Sequence, residues 1–101
     1  MTLQDKLKIR EYIHSQLPSE IMYKNIRYVL FVSTGKTMFV EYLETIESEG
    51  ETYYGQNPIF KRNISILIDE NVSLNRICDI LKEDIPKDVI LKDDIQRATN
   101  C

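Results

Sequence analysis

The chain has 101 residues, a formal net charge of -3 at pH 7 and a sequence pI of about 5.1, with 43% hydrophobic and 29% charged residues. That length supports one domain, residues 1–101, around one core, and the apolar fraction is too high for a disordered chain. An acidic balance without a basic stripe lacks the footprint that releases counterions from nucleic acid, so no nucleic-acid partner is expected.

No membrane association is expected either: the longest apolar run, Tyr28 to Val32, is far short of the roughly 20 residues that span a bilayer. The opening Met1-Thr2-Leu3-Gln4-Asp5-Lys6 lacks the apolar segment of a secretory signal. Cys78 and Cys101 make neither a zinc spacing nor a disulfide framework. A reducing compartment and a cytoplasmic location are the expectation.

Thr2 to Leu17 reads as a helix. Thr2 with Asp5 approximates a capping box. Leu3, Leu7, Tyr12, Ile13 and Leu17 share a broad face opposite Asp5, Lys8 and Glu11, and Pro18 ends the helix. Ile26 to Ser33 is a strand of β-branched and aromatic residues. Ile26, Tyr28, Leu30 and Val32 fall on one face and Val29 and Phe31 on the other. Two apolar faces predict a central position. Thr34-Gly35-Lys36 supplies the turn, with Gly35 free to take a positive φ, and Thr37 to Ile46 returns.

Glu44 to Glu51 carries four glutamates and Gly50. With the turn chemistry around Gly55 and Pro58 it predicts an exposed acidic and aromatic loop over 44–58. Phe60 to Asp69 reads as a strand, Ile64, Ile66 and Ile68 inward and Asn63, Ser65 and Asp69 outward. Ser73 caps a second helix in which Leu74, Ile77, Cys78 and Leu81 form the stripe, ending near Asp84. Val89-Ile90-Leu91 is a short edge strand or an apolar flap, and 93–101 a polar tail. The expected fold is α+β: a two-layer sandwich, an antiparallel sheet of three to four strands with two helices on one face, in the order α-β-β-β-α with a final short β.

Candidate chemistry is sparse. Ser33-Thr34-Gly35-Lys36-Thr37 contains Gly-Lys-Thr after a strand, yet a phosphate-cradling loop needs a glycine where Leu30 stands and a helix where Met38 to Ile46 follows. The ordinary hairpin turn is preferred. His14 and Cys78 are the one nucleophilic pairing on offer; Cys78 reads better as a small core residue, and His14 has no second ligand for a metal. No catalytic residue, cofactor or metal site is expected. The glutamates lack the ligand order of a calcium loop and suit a solvated loop or contact with a basic partner. Tyr53, Tyr54 and Phe60 beside Gly55 are the strongest interface signal, aromatic residues being enriched at protein contacts. Glu47, Glu49, Glu51, Tyr53, Tyr54 and Phe60 are therefore the candidate partner-binding residues, for another protein or a second copy of the chain.

The amphipathic start Leu3 to Leu17, the hairpin ending Phe39-Val40-Glu41-Tyr42-Leu43, and the stretch Tyr54 to Asp69 followed by a helix from Ser73 form an order that resembles small phage tail-completion and tail-terminator proteins. The resemblance implies a non-enzymatic assembly factor that forms rings at the tail end. An inhibitor or immunity protein using its acidic loop against an enzyme's basic cleft is the competing expectation. A nucleotide- or thiol-dependent enzyme using Gly35-Lys36-Thr37 or Cys78 is the third.

Overall fold

A computed structural model describes residues 1–91 of the chain, so the expected polar tail at 93–101 lies outside the described residues. The elements are α1 (Leu3–Gln16), β1 (Glu20–Tyr23), β2 (Ile26–Val32), β3 (Phe39–Ser48), β4 (Glu51–Tyr54), β5 (Lys61–Asn63), α2 (Ser65–Asp69), α3 (Leu74–Asp84) and β6 (Ile90–Leu91). The fold is α+β, with an open antiparallel sheet ordered β4-β3-β2-β1-β6. β5 adds to the start of β3 along the edge that β4 occupies further on. Among the described residues six strands replace the expected three to four.

α1 and α3 begin where their caps dictate. At α1 the Asp5 N–H donates to Thr2 Oγ1 at 3.1 Å and the Thr2 N–H to Asp5 Oδ2 at 3.2 Å, so two otherwise orphaned amides are satisfied reciprocally. Leu17 is already extended before Pro18. At α3 the Arg76 N–H donates to Ser73 Oγ at 3.2 Å. The α1 stripe differs from its expected composition: Ile13 and Leu17 are buried and Ile9 and Tyr12 pack beside them, while Leu3 faces water.

β1 was not anticipated. Lys24 and Asn25, at φ 52° and 67°, make the two-residue turn whose paired positive φ matches strand twist. It registers Ile21 opposite Tyr28 and Glu20 opposite Val29. Lysine is an uncommon occupant of such a turn, which hides the signal. In the β2–β3 connection Gly35 is not among the positive-φ residues, so its expected conformational role does not hold; its carbonyl instead accepts from the Lys6 ammonium at 2.8 Å.

The expected strand over Phe60 to Asp69 is corrected to a three-residue strand and a helical turn. Asn63 Oδ1 accepts from the Ser65 N–H at 3.0 Å, and Ser65 Oγ accepts from the Met38 N–H at 2.7 Å. The local Asn63–Ser65 bond turns the backbone out of the ladder, and the long-range bond from Met38 fixes Ser65 at that point. Ile64, Leu67 and Ile68 then face the core at helical spacing and Ile66 faces water. Asn71, at φ 59°, closes α2: the Val72 N–H reaches the Leu67 carbonyl and the Asn71 N–H the Ile68 carbonyl, each at 3.0 Å, the bond pair of a Schellman cap.

Ile21, Tyr28, Leu30, Val32, Val40 and Tyr42 of the sheet meet Ile13, Ile77, Cys78 and Leu81 of the helices, and Leu17 just after α1, in one core. Each such aliphatic side chain contributes about 1.5–3 kcal/mol by leaving water. The Tyr42 hydroxyl donates to the Pro18 carbonyl at 2.6 Å, and its ring meets Phe60 edge-on, centroids 5.7 Å apart. Arg62 on β5 clasps Asp84 at the end of α3 through two bonds of 2.7 Å, the geometry that suits a guanidinium to a carboxylate. β2 is central as expected, but Phe31 on its far face is 47% exposed. Its apolar far face therefore does not signal a third layer.

Candidate interaction surface

The expected loop over 44–58 is replaced in its first part by an arm. β3 runs on past Glu44 to Ser48, turns through Glu49 and Gly50, and returns as β4. Glu49 and Gly50 take φ 53° and 81°, again the two-residue turn. Nothing lies within 4 Å of where a Gly50 side chain would sit, so backbone conformation, not space, favours glycine there. Every residue from Ile46 to Tyr54 is exposed, while Glu44, Thr45, Gly55 and Pro58 of the expected loop are half-buried.

The arm's register separates its side chains. Ile46 lies opposite Tyr53 on the face that, further along β3, carries Val40 and Tyr42; Thr45 lies opposite Tyr54 and Glu47 opposite Thr52 on the other face. Ile46 is 46% exposed, Tyr53 51% and Tyr54 63%, so the arm presents one apolar pair on one face and a tyrosine on the other.

The glutamates are distributed, not gathered. Glu47 accepts from Arg27 at 3.3 Å; both side chains are well solvated, and such pairs contribute at most about 1 kcal/mol. Glu51 accepts from the Tyr53 hydroxyl at 2.5 Å, and this bond, more than desolvation, raises the Tyr53 pKa. Glu49 occupies the turn. Glu44 sits at the arm's root, where its carbonyl accepts from the Gly55 N–H at 2.7 Å. A side chain at Gly55 would press on Glu44 Oε2 at 3.1 Å. A shallow depression of about 380 Å³ runs beside the root between Met22, Arg27, Thr45 and Glu47.

Phe60 does not join this set. It is partly buried against the core and meets Tyr42 edge-on, because the chain between Tyr54 and β5 turns back to the sheet, with the Ile59 N–H bonded to the Tyr42 carbonyl at 3.1 Å. Ile46, absent from the expected set, lies exposed opposite Tyr53. Its signal was the continued alternation Val40, Tyr42, Glu44, Ile46 into the acidic stretch.

The other candidates stay apart. Gly35-Lys36-Thr37 leads into the strand β3, not a helix, so no helix N-terminus stands behind it to receive a phosphate. Lys36 shares a polar pocket of about 290 Å³ with Lys6, Ser65 and Asp69. Cys78 is buried, and burial pushes its thiol pKa up, which lowers its thiolate fraction. His14 lies on the exposed side of α1, its pKa lowered by desolvation and then by Arg10; among the described residues no hydrogen bond joins it to Cys78. Among them, too, no group of three or more His, Cys, Asp or Glu side chains could hold a metal ion, and no helix is long and apolar enough to cross a membrane. No family model, no curated protein and no solved structure matches the chain.

Proposed function

We propose that this chain is a non-catalytic interaction module whose contact surface is the β3–β4 arm. The observation that carries this reading is the exposed pair Ile46 and Tyr53 on one face, with Tyr54 exposed on the other, of a hairpin extending the sheet beyond its core. Tyrosine supplies large contact area at low entropic cost, and three part-exposed apolar side chains within one hairpin suit a partner surface. Assembly of a phage-tail-like structure is one setting for such a module, on the resemblance in sequence alone; the structure adds β1, β4 and α2 to the expected order.

Glu49 and Glu51 near the tip support a second reading, an inhibitor that meets a basic cleft. Charge there would steer encounter and raise the association rate.

The test is quantitative affinity capture from the native host with the wild-type chain, an Ile46→Asp/Tyr54→Asp variant, and a Glu11→Lys variant on α1. A partner lost about tenfold or more only with the arm variant, whose fold is intact by circular dichroism, supports the arm as the contact surface; ten times is about 1.4 kcal/mol of binding. Equal recovery with all three chains removes the arm from the function. For the inhibitor reading, reversing Glu49 and Glu51 to Lys should slow association with little change in dissociation, and an unchanged association rate sinks it.

A further inference from the structure

We infer that the arm binds a second copy of this chain, β4 pairing antiparallel with the β4 of its partner across a two-fold axis at Tyr53. The inference rests on the reading of the arm as the contact surface and names its occupant.

The backbone carries it. Ser48 and Glu51 flank a two-residue turn, so they form a hydrogen-bonded pair. Backbone groups alternate direction along a strand. Glu51 and Tyr53 therefore aim theirs at β3, as Gly55 does when its N–H bonds the Glu44 carbonyl. Thr52 and Tyr54 aim theirs away, along the outer edge. β4 ends the strand order, and among the described residues no backbone bond covers that edge. An open edge of this kind is a template for another strand. The edge has no proline or lysine, the usual blocking residues, between Glu51 and Tyr54.

Self-pairing has one register that uses every outward group. With Tyr53 opposite its own copy, Thr52 lies opposite the partner's Tyr54 and Tyr54 opposite the partner's Thr52. Both are hydrogen-bonded pairs, giving four new backbone bonds. Shifting by one residue to centre on Thr52 would set Tyr54 against Gly50, where the turn at φ 81° leaves the strand. In the proposed register the two Tyr53 rings meet on the axis beside both copies of Ile46, covering the apolar pair exposed on that face.

Charge does not forbid this. Glu51 falls opposite Gly55 of the partner, and the two Glu51 residues stand four strand positions apart, about 14 Å. That exceeds the Debye length of about 8 Å at physiological salt, so their repulsion is screened. The contact is small. Ile46, Tyr53 and Tyr54 of each copy offer on the order of a few hundred Å², below the roughly 1,200 Å² of stable complexes. The dimer is accordingly weak, with a dissociation constant on the order of 100 μM.

Two measurements on the full chain test it. Sedimentation equilibrium should show monomer passing to dimer with rising concentration. Thr52→Pro, which deletes an outward N–H and no bond to β3, should weaken dimerisation at least about tenfold; Tyr54→Lys, which leaves the backbone intact, should weaken it as well. Oxidation in a Cys101→Ser background should cross-link Tyr53→Cys efficiently, because a non-hydrogen-bonded pair holds Cα atoms about 4.5 Å apart, within disulfide range. Thr52→Cys and Tyr54→Cys should cross-link poorly, their self-distances being diagonal, roughly 7–8 Å. A monomer up to about 1 mM, some ten times the expected constant, would overturn the proposal, as would equal cross-linking at all three positions. A chain that stays monomeric yet loses a captured protein on arm substitution would overturn self-pairing while leaving the arm a contact surface.

Discussion

β3 passes through two environments. Its first half places Val40 and Tyr42, both fully buried, in the core cluster with side chains of α1 and α3; its second half carries Ile46 on the same face into water. The residues at these positions are alike in type. What differs is whether the core cluster covers them. Burial in a two-layer fold thus measures the covering layer more than the strand, and the uncovered half is where apolar side chains remain available for a partner.

If that contrast is right, stability should be concentrated at the covered half. Tyr42→Ala should have the largest effect, about 3–5 kcal/mol by urea unfolding, from lost packing and the cavity left behind. Tyr42→Phe should cost about 1–2 kcal/mol by leaving the Pro18 carbonyl without its donor. A loss at Tyr42→Ala no larger than at arm positions would break the comparison.

The covered tyrosine also predicts a pH signature. Desolvation raises the Tyr42 pKa well above its ordinary 10.0. The folded state therefore holds this proton more tightly than the unfolded chain. Its contribution is complete below the unfolded pKa and is lost as pH climbs from there towards the folded one, by up to about 1.4 kcal/mol per pH unit. Tyr28, raised by desolvation and then by Glu44, adds in the same direction. Stability measured from pH 9 to about pH 11.5, a range spanning the tyrosine pKa, should fall, and Tyr42→Phe should flatten that fall. An identical alkaline slope in Tyr42→Phe would assign it elsewhere.

Smaller effects belong to the joints. Asn71→Ala should cost about 1 kcal/mol, since alanine lacks asparagine's tolerance of positive φ, and Asn71→Gly should be near neutral. A double-mutant cycle on Arg62 and Asp84 should give a coupling of about 1 kcal/mol, because both groups retain solvent contact. Smallest of all, Ile46→Ser and Tyr54→Ser should change stability by less than about 0.5 kcal/mol. A larger loss would mean that the arm is part of the core.

Legibility followed the same division. The caps at Thr2 and Ser73 and the stripe Ile77, Cys78 and Leu81 are local signals with local causes, and they placed α1 and α3. The isoleucines of 64–68 satisfy period 2 and part of a helical stripe at once. The choice between them lay in Asn63 and Ser65, whose side chains compete with the ladder. Of the candidate surface, Tyr53, Tyr54 and the glutamates were legible as exposed. Phe60 was misplaced because nearness in sequence to Tyr54 says nothing about a chain that folds back on Tyr42.

By itself the sequence determined the α+β class, the two capped helices, the central strand and the exposure of the acidic stretch, because capping, periodicity and charge act over a few residues. Only the tertiary structure decided that the acidic stretch is a hairpin arm, that Phe60 packs on the core and Ile46 is exposed, and that β4 ends the strand order among the described residues. Those outcomes depend on which elements lie over or beside one another, and contacts between distant segments leave no mark in local composition.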